Sequence, residues 1–266
     1  MKIRTLLASV TVGLVAFTGC SAAPQAPATP SPTPVKDVTV YVVRHGKTML
    51  NTTDRVQGWA DAPLTPEGAE VVKAAGRGLK DIQFDAAYSS DSGRAVETAT
   101  LILKENKATK ATLETDARLR EFNFGTWEGD LNHTMWSAIA ADQGITLDEF
   151  LKNMTPKSFA DSVAKLDAAN PEAAKNWPAE NYETISARLS EGINDIVTKE
   201  AAKGNDSILL VSHGLSISAL FDTVTENYVM PEGNIKNAAV SILKYSDGKF
   251  TLESVNDTSY IEKGKA

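Results

Sequence analysis

Residues Val38 to Asn51 read VTVYVVRHGKTMLN. Val, Tyr and Thr suit the pleated, half-buried surface of a sheet, and a short apolar run with no polar face predicts a central β-strand. The run ends abruptly in Arg44, His45 and Gly46. A guanidinium and an imidazole at the rim of an apolar strand are costly unless something compensates them. The same device recurs at SILLVSHG, Ser207 to Gly214, where an apolar run again ends in His-Gly.

Between and beyond these runs, strand-like and helical patterns alternate. Thr65 followed by Pro66 predicts a helix start that leads into Ala69, Val72 and Leu79. FDAAYSS, from Phe84, predicts a short strand, followed by a helix from about Gly93 to Glu105. Ala179 to Ala202 reads as a long helix with Ile185, Leu189, Ile193 and Ile196 on one face, and Gly204 as its stop. AAVSILKY and FTLESV, joined through Asp247-Gly248, predict an antiparallel pair. The expected fold is one α/β domain over residues 36–266, with a mostly parallel central sheet and helices on both faces. Residues from about 129 to 178 contain no strand signal, and Thr146 with Glu149 and Thr155-Pro156 mark helix starts. That stretch is expected to be a helical insertion capping the site.

Only three histidines occur: His45, His133 and His213. In a parallel sheet the ends of the two His-Gly strands face one edge, so His45 and His213 are expected to meet there. Arg44 shares that edge, and Arg94 opens a helix at it. Two planar guanidinium forks and two imidazoles describe a pocket for a group with several negative oxygens, and phosphate fits best. Amides beside Gly214, at the start of the following helix, are expected to add donors. A metal site is not expected, because two arginines would repel the cation and His133 lies apart from the other two.

RHGKTMLN, RVQGWADAPLTPEG, YSSDSGRAVETA, LREFNFGTWEG and LLVSHG occur in this order. Together they resemble the histidine phosphatase superfamily, the phosphoglycerate mutase-like branch 1 group. The resemblance implies that His45 is a nucleophile forming a phosphohistidine, and that Arg44, Arg94 and His213 hold the phosphoryl group. It also implies that Glu121 is the general acid, that Asn51, Gln57 and Gly58 line the pocket, and that no cofactor is needed. Trp59 is as well suited to packing as to binding. Gly46 is read as leaving room for the backbone turn.

Phosphoglycerate mutases of this group typically carry His-Tyr-Gly after the acid, together with further basic residues. Here Phe122, Asn123 and Phe124 precede Gly125, as in the phosphatase branch. Hydrolysis of a small phosphate monoester is therefore the leading reading. A mutase-like transferase and a non-catalytic phosphate-binding surface protein are the alternatives. AENYET, where many relatives have Gly-Glu-Ser, and the helical insertion are expected to set specificity.

The chain begins with Lys2 and Arg4, an apolar run from Leu6 to Phe17, then Thr18, Gly19 and Cys20, the only cysteine. That is the layout of a secretory signal, and residues 1–19 are expected to be removed. The lone cysteine resembles a lipobox whose thiol is lipidated, tethering the protein to the outer face of the cytoplasmic membrane. An ordinary cleaved signal or a retained anchor are the other readings. Residues 20–35 hold five of the eleven prolines and read as an extended spacer. A net charge of -7 is unsuited to nucleic acid. The sequence gives no sign of oligomeric state.

Overall fold

The structure, a computed structural model, describes residues 37–266. The apolar leader, Cys20 and the proline-rich spacer lie outside the described residues.

The chain opens with β1 (Val38–Arg44) and a single helical turn, α1 (Met49–Thr52). Helix α2 (Pro66–Gly78) follows, with Thr65 accepting from the Gly68 amide and Pro66 at the first position, as its sequence predicts. Next come β2 (Ala86–Ser89), α3 (Gly93–Asn106) and β3 (Leu113–Thr115). The middle holds α4 (Asn132–Gln143), α5 (Leu147–Asn153) and α6 (Pro156–Ala168). It is followed by α7 (Tyr182–Ala202), β4 (Ser207–Ser212) and α8 (Gly214–Val224). The hairpin β5 (Val240–Ser246) and β6 (Lys249–Asp257) precedes α9 (Ser259–Lys265).

One sheet results, in the order β3-β2-β4-β1-β5-β6. The first four are mutually parallel, β5 pairs antiparallel with β1, and β6 pairs antiparallel with β5. Alternation along β4 shows why both faces need covering. Ile208 and Leu210 join one core with Leu189, Ile193 and Ile217, while Leu209 and Val211 join another with Val72, Ala99 and Ile102. Helices α7 and α8 cover the first face, and α2, α3 and α9 the second.

Two elements carry too little pattern to be read from sequence. Strand β3 has three residues at a sheet edge, and α9 is a polar seven-residue helix that buries Ile261. The long helix begins at Tyr182 instead of Ala179, because Asn181 takes the cap and accepts from the Thr184 amide. Residues 129–178 form helices with no strand, as expected, and are built into the core. Met135, Ile139, Phe150, Phe159 and Val163 pack in the same cluster as Leu189 and Ile217. Buried Asp167 holds this layer by accepting from Thr126 and from the Ala179 amide.

Candidate active site

The register of β1 and β4 decides the geometry. Arg44 pairs with Ser212, so the next residues on each strand, His45 and His213, emerge side by side at the carboxyl edge. Their ring centroids are 5.2 Å apart, close to the spacing of adjacent strands.

His45 is fixed from several directions. Its amide donates to the Ser212 carbonyl at 3.0 Å, and its own carbonyl accepts from Asn237 Nδ2 at 3.0 Å. Gly46 donates its amide to Thr98 Oγ1 at 2.9 Å. The ring Nδ1 lies 2.8 Å from the Gly46 carbonyl. A carbonyl only accepts, so Nδ1 carries the hydrogen and Nε2 keeps its lone pair. Gly46 is required for a different reason than its sequence position predicts. Its backbone is not in the left-handed region, and a Cβ there would lie 2.5 Å from Val72 and 3.2 Å from Leu64, so the glycine admits α2.

His213 has the opposite tautomer. Arg94 Nε, which only donates, points at His213 Nδ1 from 3.2 Å, so the hydrogen sits on Nε2. That Nε2–H is buried with no partner in the protein. Arg94 is fully buried, and its other nitrogens donate to the carbonyls of Gly58 and Ala60 and to Asp61. The receiving loop is held by Glu128, whose carboxylate accepts the amides of Gly58, Trp59, Ala60 and Phe124. Glu128 lies in the TWEG block, but nothing in its spacing predicts a fourfold amide acceptor.

Arg44 donates to the Ile235 carbonyl, and its Nε is buried and unpartnered. Burial pushes its pKa down to about 10, against the pull of Glu121, so it remains charged at neutral pH. Gln57 accepts from Thr48 Oγ1 at 2.7 Å and from Asn51 Nδ2 at 3.4 Å, which leaves Gln57 Nε2 buried without a partner. Arg44 Nε, Gln57 Nε2 and His213 Nε2 are three unanswered donors near one histidine.

Glu121 is also close by, 6% exposed, in an irregular segment whose carbonyls are answered by side chains. Ser216 Oγ, Trp59 Nε1 and both Nη atoms of Arg188 take the carbonyls of Arg120 and Glu121. Arg188 is itself gripped by Glu180 through a bidentate pair at 2.8 and 2.9 Å. The Glu121 carboxylate accepts the amides of Phe122, Leu215 and Ser216. The amides at the start of α8, expected to face phosphate, are thus held by Glu121 in this state, because the helix terminus attracts the nearest anion.

Arg44, His45, Asn51, Gln57, Glu121 and Gly214 line a cavity of about 150 Å³. Arg94 and His213 are both 0% exposed and are not in that lining, with the His213 ring directly beside that of His45. Gly58 does not line it, and a Cβ there would lie 2.1 Å from the Phe122 carbonyl, so the glycine serves the backbone approach. Trp59 packs, with the Arg120 guanidinium 4.7 Å from its ring centroid. His133 is exposed on α4 and takes no part. AENYET supplies the α7 cap through Asn181 and the Arg188 grip through Glu180, and adds nothing to the cavity wall. Phe124, Arg55, Asn234 and the cap residues Asn132, Met135, Trp136 and Phe159 also line it.

Both histidines titrate well below the ordinary imidazole value. Burial is the main cause for each, and neighbouring cations follow, Arg94 and then Arg44 for His45, and Arg94 for His213. The unfolded chain therefore binds more protons than the folded one below pH about 6.5, and stability rises with pH through that window. Each histidine is expected to remove up to about 1.4 kcal/mol of stability per pH unit as pH falls below that value. Urea melts at several pH values test this. A steeper acid loss in wild type than in His213→Asn supports buried neutral rings, whereas identical slopes contradict them.

An imidazole with a free Nε2 lone pair beside arginine forks and unpartnered donors at a parallel sheet edge defines a class. The chain belongs to the histidine phosphatase superfamily (branch 1), which it matches over residues 40–157 and 147–258. These segments run through residues 129–178, so the family match includes the helical layer. The crystal structure of phosphoglycerate mutase from Bacillus anthracis str. Sterne is similar at 43% identity and a TM-score of 0.79, covering 87% of this chain and 98% of that one. Bacillus stearothermophilus YhfR is similar at 28% identity and a TM-score of 0.63, over 84% of this chain and 99% of that one. The probable phosphoglycerate mutase GpmB of Yersinia pestis (strain Pestoides F) is 26% identical over 230 residues, 84% of this chain and 94% of the relative.

Proposed function

We propose that this protein hydrolyses small phosphate monoesters without a metal, through a phosphohistidine on His45. The observation that carries the reading is the set of unpartnered buried donors, Arg44 Nε, Gln57 Nε2 and His213 Nε2, near a histidine whose Nδ1 is tied to the Gly46 carbonyl. Tetrahedral phosphoryl oxygens answer all three, and charge spread over those oxygens in the transition state strengthens each bond. The Nε2 lone pair of His45 attacks phosphorus as the bond to the ester oxygen breaks. Glu121, protonated for this step, gives the leaving oxygen its hydrogen, and phosphoryl oxygens take over the Leu215 and Ser216 amides. In the second step the Glu121 carboxylate removes a proton from water, which attacks phosphorus. The P–N bond breaks, its electrons return to Nε2, and phosphate leaves.

A mutase reading is favoured by the names of the Bacillus anthracis structure at 43% identity and of the Yersinia pestis relative at 26%. Against it stand Asn123 and Phe124 where mutases typically place His and Tyr, and a cavity wall whose cationic residues are Arg44 and Arg55. The two separate on phosphate release by purified full-length protein in excess chelator. Net release from alkyl monoesters, with no isomerisation of phosphoglycerate, supports hydrolysis. Isomerisation that outpaces release would reverse the assignment.

We also propose that the protein is exported and lipid-anchored through Cys20, as the Leu6–Phe17 run and the spacer favour. Mass analysis of the mature N-terminus tests this, and an unmodified cysteine or an uncleaved Met1 contradicts it.

A further inference from the structure

Beside the phosphate donors, the cavity lining includes the apolar side chains of Phe124, Met135, Trp136 and Phe159. Met135 and Trp136 come from adjacent positions near the start of α4, and Phe159 from the first turn of α6. The wall is largely preformed. Phe159 is 1%, Met135 2% and Phe124 4% exposed, and the two phenylalanine rings meet edge to face at 5.9 Å. Helix α6 is fixed at its start by the Thr155 cap and Pro156. Trp136 is partly exposed and forms the outer part of this wall.

Two polar side chains beside the wall each have one nitrogen engaged within the protein. Asn132 Nδ2 donates to Asp54 Oδ1 at 2.8 Å, and Arg55 Nη1 donates to the Gly129 carbonyl at 2.8 Å. A substrate hydroxyl pressed against the Phe and Met side chains or the face of the Trp136 ring would lose its water and gain no hydrogen bond from them, a penalty of roughly tenfold in binding for each such group. The cavity, about 150 Å³, is also below the roughly 300–1,000 Å³ of sites that enclose drug-sized ligands.

We propose that this wall makes the site selective for phosphate monoesters of compact apolar alcohols, short alkyl or single-ring groups, over polyol and sugar phosphates. The selectivity rests on the phosphatase reading above for its catalytic form. Trp136 is its outermost determinant, contributing ring contact to the organic group and nothing to the phosphoryl end.

Butyl phosphate and glycerol phosphate have similar leaving groups and differ mainly in polarity, so the ratio of their kcat/KM values in full-length protein reads the wall. A ratio of about ten or more in favour of butyl phosphate is expected. Trp136→Ala is expected to lower that ratio about five- to tenfold through KM, with Trp136→Phe restoring most of it. A wild-type ratio near or below one, or an unchanged ratio in Trp136→Ala, overturns the proposal. Calorimetric binding of butylphosphonate against 3,4-dihydroxybutylphosphonate reads the same preference without turnover. Absent hydrolysis with a preserved butyl preference would therefore defeat the phosphatase reading and keep the wall. Equal binding of the two phosphonates would defeat the wall itself.

Discussion

Replacing His45 by Ala is expected to cut phosphate release by about 10⁴-fold or more while leaving the fold in place. The magnitude follows from the role. A nucleophile that splits one displacement into two cannot be replaced by its neighbours, since His213 Nδ1 is occupied by Arg94 and its Nε2 carries the hydrogen. The fold should survive because neither hydrophobic cluster includes His45. Its backbone bonds to Ser212 and Asn237 do not involve the ring. Thermal melts and phosphate release on the same preparation check both halves. A folded variant with activity within tenfold of wild type would remove His45 from the mechanism.

Glu121→Ala is the second large effect, and its signature is selectivity among leaving groups. A general acid typically contributes about 10² to 10⁴ in rate. That contribution matters for an alkoxide, which leaves poorly without a proton, and matters little for a nitrophenolate. Alkyl phosphates should therefore lose the full factor and aryl phosphates only a small part of it. The variant also frees the Leu215 and Ser216 amides that Glu121 occupies. Inorganic phosphate is accordingly expected to inhibit Glu121→Ala more strongly than wild type. Equal rate losses on both ester classes would assign Glu121 to holding the α8 terminus instead of to proton transfer.

The parts legible in the sequence share a physical cause. The β1 and β4 runs are apolar because both faces of a parallel strand are covered, so the residues that break the pattern, Arg44, His45 and His213, stand out at one edge. Thr65, Thr146 and Thr155 are equally readable, since a cap depends on a side chain and an amide a few positions away. What escaped reading depends on long-range pairing. Glu128 collecting four amides, Arg188 holding the carbonyl of Glu121 and Asn237 holding that of His45 join residues far apart in the chain. Gly58 illustrates the limit from the other side. Its place in a matched motif says that the residue matters, yet only the packing against Phe122 shows that it shapes the backbone and leaves lining the cavity to others. The alternating pattern of helix starts in residues 129–178 gave a helical cap, but which of its side chains face the cavity follows from how α4 and α6 sit on the core.

The most direct measurement is a rapid acid-free quench of full-length protein mixed with an aryl phosphate, followed by peptide mass analysis under conditions that preserve phosphoramidates. A phosphoryl group on the peptide carrying His45, attached at Nε2, formed within one turnover and absent from His45→Ala, is the expected result. Steady hydrolysis with no such adduct at any time, or an adduct on His213, would contradict a phosphohistidine at His45.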